Sequence, residues 1–272
     1  MSSQQNDAKQ WVRRAVVKHL PRTARSYRVA TYTGDANVNS SLGMQIDLQP
    51  FEGKVVEVSD EWILLKAGRT AEFFVTMRDL VDAMPTVGEV VRITPYARRG
   101  FDGRRLDAPR AEKMENGVQI KTYVLGEDRS PLPLDHDTIR CPELRDLIEQ
   151  IEQFRSPDGV RRLAQVLVDA GGGTMPVAFV DPAPEDIIAT PPSLKFRVKT
   201  GKADGWIEYR YDRGLDAYDM SLTDADGAPV HAVRTVFFDQ IAEITVDWID
   251  DGMWRIAKVE ILKPAPARSA AA

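Results

Sequence analysis

Residues 53–96 read GKVVEVSDEWILLKAGRTAEFFVTMRDLVDAMPTVGEVVRITPY, and the punctuation of this stretch decides the architecture. GKVVEV (53–58), WILLK (62–66) and AEFFVT (71–76) are short apolar runs rich in β-branched and aromatic residues. Ser59-Asp60-Glu61 and Ala67-Gly68-Arg69-Thr70 separate them as turns, which predicts three strands in succession. In MRDLVDAM (77–84), Met77, Leu80, Val81 and Met84 fall at i, i+3, i+4 and i+7, the spacing of one helical face. Gly88 then opens a fourth strand, EVVRITPY (89–96), and VQIKTYVL (118–125) alternates as a fifth.

That β-β-β-α-β-β order resembles the OB-fold, a five-stranded Greek-key barrel, over Gly53 to Leu125. An SH3-like small barrel and a sheet that does not close are the alternatives. The turn between the first two strands has only three residues. The resemblance therefore places ligand contact on the connection between the fourth and fifth strands.

Outward from this lobe, residues 1–43 read as a basic arm and a polar loop, and the barrel-like lobe extends over 44–130. Residues 131–178 hold a Pro-containing linker and a helical hairpin. Its first helix presents Leu144, Leu147, Ile148, Ile151 and Phe154, and its second, from Ser156-Pro157, presents Val160, Leu163, Val166 and Leu167. Residues 179–263 alternate in LKFRVKT, GWIEYRYD, AYDMSLT and VHAVRTVFF, continue through a helix (240–250), and close with WRIAKVEIL. The tail 264–272, rich in Ala and Pro, is expected to be disordered. The expected class is α+β and mainly β: an OB-like barrel, a helical connector, and an antiparallel sheet with one packed helix.

Composition narrows the function classes. The 272 residues, 43% hydrophobic and 28% charged, are ordinary for one or two globular domains. No run approaches the ~20 apolar residues of a membrane span, and no secretory signal is evident, so a cytoplasmic protein with no membrane partner is expected. Cys141 is the single cysteine, which excludes an intrachain disulfide and a multi-cysteine zinc site. The net charge of −5 conceals an asymmetry. Residues 1–30 carry Lys9, Arg13, Arg14, Lys18, Arg22, Arg25 and Arg28 against Asp7, a balance of +6 that leaves −11 for the rest. A basic arm on an acidic body is an electrostatic footprint of contact with nucleic acid or an acidic partner.

The sharpest candidate site is TPYARRGFDGRRLDAPR (94–110). Arg98 and Arg99 mirror Arg104 and Arg105 across Gly100-Phe101-Asp102-Gly103, a hairpin whose Asp-Gly pair suits the tip. Guanidinium groups pair bidentately with phosphates, and an exposed Phe101 would stack on a base. The competing reading is a solvated hairpin neutralised by Asp102, Asp107 and Glu112. With Arg13, Arg14 and Lys18 of the arm, these residues form the expected nucleic-acid-binding set. His19, His136 and His231 are scattered without metal-ligand spacing, and Asp224-Ala-Asp226-Gly227 reads as a hairpin turn because Thr235 stands where a calcium loop needs an acid. No catalytic motif, metal site or cofactor site is expected.

The phrases PYARRGFDGRRLDAP, CPELRDLIEQIEQ, PDGVRRLAQVLVDAG and DPAPEDIIATPPSLKF resemble accessory proteins, without an assigned activity, carried by proteobacterial plasmids and integrative elements. The resemblance implies a bacterial cytoplasm and a mobile element, and assigns no residue a role. The expected function is that of a non-catalytic, nucleic-acid-associated accessory protein binding single-stranded or duplex nucleic acid. The alternative is an adaptor, contacting a protein partner of conjugation, partition or host defence through its acidic C-terminal lobe.

Overall fold

The run Trp62–Leu65 is apolar at four successive positions, and all four side chains are buried. A strand alternates only when one of its faces meets water. Here Trp62 and Leu64 pack to one side while Ile63 and Leu65 pack to the other, in separate cores. The sheet that contains them is therefore covered on both faces.

A computed structural model describes residues 3–36, 38–39, 44–114, 118–122 and 129–266. In chain order the elements are α1 (Ser3–Val17), β1 (Arg28–Tyr32), β2 (Val38–Asn39), β3 (Met44–Gln45), β4 (Phe51–Val58), β5 (Trp62–Lys66), β6 (Glu72–Met77), β7 (Val90–Thr94), β8 (Arg110–Lys113), β9 (Gln119–Thr122), α2 (Pro142–Gln153), α3 (Leu163–Asp169), β10 (Ala178–Val180), β11 (Ser193–Lys199), β12 (Asp204–Asp212), β13 (Ala217–Asp224), β14 (Pro229–Val236), α4 (Ile241–Ile249) and β15 (Lys258–Lys263). The molecule is a mixed α+β protein dominated by strands, and it divides into two compact units, residues 1–97 with 252–272, and residues 98–251.

The first unit is built on a six-stranded sheet ordered β1-β6-β5-β4-β7-β15. The expected strands 53–58, 62–66, 71–76 and 89–96 are present as β4, β5, β6 and β7. They form an antiparallel meander, β6-β5-β4, with β7 returning to pair with β4. β1 adds parallel to β6, placing Arg28 opposite Glu72 and Tyr32 opposite Thr76. α1 covers one face because Ala8, Val12, Ala15 and Val16 line up at helical spacing and bury against Trp62, Leu64, Phe73 and Val75.

Three expectations need correction here. Residues 118–125 do not supply the fifth strand of this sheet. β9 instead pairs with β8 in a separate two-stranded ribbon, with Arg110 opposite Thr122; residues 123–125 lie outside the described residues. Residues 254–262 do not close the C-terminal sheet: β15 pairs antiparallel with β7, with Lys258 opposite Thr94 and Val259 opposite Ile93. The helix over 77–84 is cut to one 3-10 turn, Arg78–Leu80. Val81 turns extended to bridge Ala257, and the Ala257 N–H donates to the Leu80 carbonyl at 2.8 Å. A tertiary backbone pairing thus outweighs the local helical spacing.

The second unit carries the five-stranded antiparallel sheet β10-β11-β12-β13-β14. Leu194, Phe196, Val198, Ile207, Tyr209, Met220 and Leu222 point from it into one core. The helical hairpin is not a connector between lobes but the cover of this sheet. α4 buries only Ile241, Ala242, Thr245 and Ile249, and α2 and α3 add Leu144, Leu147, Ile148, Ile151, Leu163, Val166 and Leu167 to the same core. Helix α3 starts later than Ser156. The Ser156 hydroxyl donates to Asp158 at 2.7 Å in a turn, and Arg162 takes the N-cap position, its N–H donating to the Gln165 side chain at 2.6 Å. At Asp224–Gly227 the expected hairpin turn is present, with the Asp224 carboxylate accepting from the Asp226 and Ala228 N–H groups at 3.0 and 2.8 Å.

One buried charge organises the helical end of this unit. The Arg161 side chain is 0% exposed and contacts Asp158 at 2.9 Å, Asp169 at 2.9 Å and Asp250 at 2.5 Å. These carboxylates come from the turn before α3, the end of α3 and the end of α4. Burial opposes the charge on Arg161, yet the three carboxylates hold its pKa above the ordinary value. Burial likewise opposes ionisation of Asp158, but Arg161 and hydrogen bonds from Ser156, Arg161 and Val160 hold its carboxyl below the usual range.

Arg161→Met leaves three carboxylates uncompensated, and the urea unfolding free energy of the second unit should fall by about 3–5 kcal/mol. A depressed folded pKa means that Asp158 stabilises above the ordinary carboxylate pKa of ~4, and that this is lost as pH falls through the folded value. Unfolding midpoints should therefore drop on acidification below about pH 4, and Asp158→Asn should flatten that dependence.

Candidate nucleic-acid interface

The hairpin after β7 forms as a tight loop. The Gly100 N–H donates to the Arg104 carbonyl at 3.0 Å, the Gly103 N–H donates to the Gly100 carbonyl at 2.9 Å, and Arg99 bridges Arg105. Gly103 adopts φ +74°, the left-handed conformation its turn position requires. The Asp102 carboxylate accepts from the Arg104 N–H at 2.9 Å and fixes the tip.

The side chains of this loop are largely engaged. Phe101 is half-buried: its ring stacks on Phe196 at 6.3 Å and packs against the second unit's core. The Gly171–Gly173 turn makes room for this contact, because a β-carbon on Gly173 would stand 2.9 Å from the Phe101 carbonyl oxygen. Arg98 is 4% exposed. Arg99 donates to the Gly103 carbonyl at 2.8 Å, and Arg105 grips Asp107 at 2.6 and 2.7 Å. Arg104 is 84% exposed, with Asp102 a loose 3.8 Å away. The arginines that sequence spacing groups into one guanidinium cluster thus split into buried, self-bonded, paired and free-swinging members. The side chain of Glu112 lies outside the described residues.

The basic arm is different. α1 is docked by its apolar stripe, and Arg13 and Arg14 lie exposed on its outer side. Lys18 reaches Glu57 at 3.2 Å, and the same carboxylate lies 3.3 Å from His19. The chain continues through RTARSYR (22–28), in which Arg22, Arg25, Tyr27 and Arg28 are all exposed. Arg28, 88% exposed, stands 3.7 Å from Glu72. Among the described residues, Arg13, Arg14, Arg22 and Arg25 have no ion-pair partner. The residue pattern of the arm alone does not distinguish a docked helix from a solvated tail, so the arm stands out less in the sequence than the hairpin does. The buried positions 8, 12, 15 and 16 were the available signal.

The charge of each unit separates the two candidates. Residues 1–97 and 252–272 hold 16 Lys and Arg against 12 Asp and Glu, a net +4; residues 98–251 hold 20 against 29, a net −9. The hairpin belongs to the acidic unit and the arm to the basic one. Summed charge sets the field that an approaching polyanion meets.

Further groups with chemistry lie in the second unit. Cys141 is buried, and burial pushes its thiol up while it contacts Glu143 at 3.3 Å, so the thiolate form is disfavoured. His136 and Glu152, 3.4 Å apart, share a cleft of about 290 Å³ with Arg129 and Arg145. Burial pushes the Glu152 carboxyl up, against the opposing Leu132 N–H bond, and no Ser, Thr or Cys lines the cleft. Among the described residues, no group of three His, Cys, Asp or Glu is placed to hold a metal ion, and no helix is long and apolar enough to cross a membrane.

Phe101→Ala should cost the second unit about 2 kcal/mol, roughly half the loss from emptying a full core site, measured as a lowered urea midpoint. Comparison with protein-family models, curated proteins and solved structures yields no match to this chain.

Proposed function

We propose that this is a non-catalytic, nucleic-acid-associated accessory protein that holds the phosphate backbone through α1 and the loop that follows it. The observation that carries this reading is the set of exposed guanidinium groups at Arg13 and Arg14 on a docked helix and at Arg22 and Arg25 in the loop after it, without ion-pair partners among the described residues, on a unit of net charge +4. A helix anchored in a core presents its arginines without the ordering cost of a disordered tail, and guanidinium is the cation best matched to phosphate. Lys18, tied to Glu57, contributes less. Arg98 is buried, and Arg99, Phe101 and Arg105 are held within the second unit; these four are assigned a structural part, and Arg104 remains available as an outlying contact.

The finer architecture belongs to the same proposal. We read the first unit as OB-like: β4, β5 and β6 form the meander, β7 returns to β4, and β1 and β15 at the two ends share the place of a single fifth strand. The mobile-element setting, the bacterial cytoplasm and the absence of a catalytic role are part of this reading.

A second reading has its own observation. Phe237 and Phe238 are 52% and 59% exposed just beyond β14, an edge strand of the acidic unit. Exposed aromatics beside an open sheet edge suit a protein partner, so this surface supports the adaptor alternative.

Salt-titrated fluorescence anisotropy against single-stranded and duplex oligonucleotides tests the first reading. Arg13→Gln/Arg14→Gln should weaken binding at low salt and flatten the plot of log K against log salt by about 1.4–1.8, the loss of two phosphate contacts. An Arg104→Gln variant should shift the slope by less than one contact. Binding of the double variant indistinguishable from that of the parent would refute the arm as the contact.

A further inference from the structure

Tyr27 is the one aromatic side chain in the basic loop, and it is held in place. Its ring stands at 90° to that of Phe73, 6.4 Å between centroids, and Phe73 is 1% exposed in the core beneath α1. The next residue is tied as well: the Arg28 N–H donates to the Ala71 carbonyl at 3.0 Å as β1 begins. Tyr27 itself is 38% exposed. Its hydroxyl has no hydrogen-bond partner among the described residues, so the polar atom does not explain the position. Arg25 and Arg28 flank it, both exposed.

A fixed, partly exposed ring between guanidinium groups is what an unpaired base requires. Stacking needs a π-face already held in position, and the flanking cations hold the phosphates on either side of the stacked nucleotide. Duplex bases are stacked on one another and present only their edges in the grooves, so a duplex gains from the arginines but not from the ring. From this arrangement we infer that the arm is a single-strand site, with Tyr27 as its base-stacking platform. The inference rests on the nucleic-acid reading above and names the substrate class of that same surface.

The ring and the charges are separable by experiment. Tyr27→Leu keeps an apolar contact on Phe73 but removes the π-face; Tyr27→Phe keeps both. Anisotropy titrations use labelled oligodeoxythymidylate and a labelled duplex of equal length. Tyr27→Leu should weaken single-strand binding roughly 5- to 150-fold, the equivalent of one base stack. It should leave the salt slope unchanged, because no phosphate contact is lost, and should leave duplex binding within about twofold of the parent. Tyr27→Phe should restore single-strand affinity. Equal losses on strand and duplex, or no loss on the strand, overturn the stacking role while the arginine contacts stand. A parent protein that binds neither ligand overturns both readings together. Thermal melting of each variant reports on folding, and a Tyr27→Phe protein that folds as the parent but fails on the single strand also overturns the inference.

Discussion

The antiparallel pairing of β15 with β7 is the constraint on which the rest of the chain depends. Thr94 lies opposite Lys258 and Ile93 opposite Val259, so the first unit takes its edge strand from the far end of the sequence. Backbone groups along β7 would otherwise form an open edge beside buried Val91 and Ile93. The pairing continues at Ala257, whose bridge to Val81 stops the 3-10 turn from growing into a helix. Everything from Arg98 to Asp251 is consequently enclosed in sequence within the first unit, and it must build a core of its own.

That inner unit solves its covering problem with helices from both sides of its sheet in the sequence. α2 and α3 precede the strands and α4 follows them, yet their apolar stripes meet in one core. The join is electrostatic. A guanidinium buried among three carboxylates is costly to assemble and costlier to break, because removing the cation leaves the anions desolvated and unpaired. Arg161 therefore specifies where the ends of α3 and α4 go, more than it adds net stability. Tyr209 adds a second polar tie of the same kind, its hydroxyl 2.9 Å from that of Thr245 inside the core.

Charge is partitioned between the units as sharply as packing is. The basic unit exposes arginines that have no ion-pair partner among the described residues, while the acidic unit absorbs the hairpin's Arg99 and Arg105 into bonds of its own. The same residue type thus stays solvent-facing in one place and is drawn into structural bonds in another. Local neutralisation and the sign of the surrounding field decide between them.

Much of the fold was legible in local patterns. The strands β4 to β7 and β11 to β14, the apolar face of α2 and the Asp224 turn all follow from period-2 or 3.6-residue spacing and from turn chemistry, which act within a few residues. The positive charge of the arm and the presence of Arg13, Arg14 and Lys18 on it were equally plain. What the sequence could not carry were choices made by partners distant along the chain. That β15 leaves the second sheet for the first, that β9 pairs with β8, and that the helical hairpin caps a sheet instead of linking lobes are pairings between surfaces. Alternating strands look alike whichever edge they join. The same reason moved the candidate site: Phe101 reads as an exposed tip residue until Phe196 and Gly173 are brought against it, and α1 reads as a tail until Trp62 and Phe73 receive its stripe. Composition and spacing determined which residues carry charge and apolar surface; only tertiary packing decided which of them still face water.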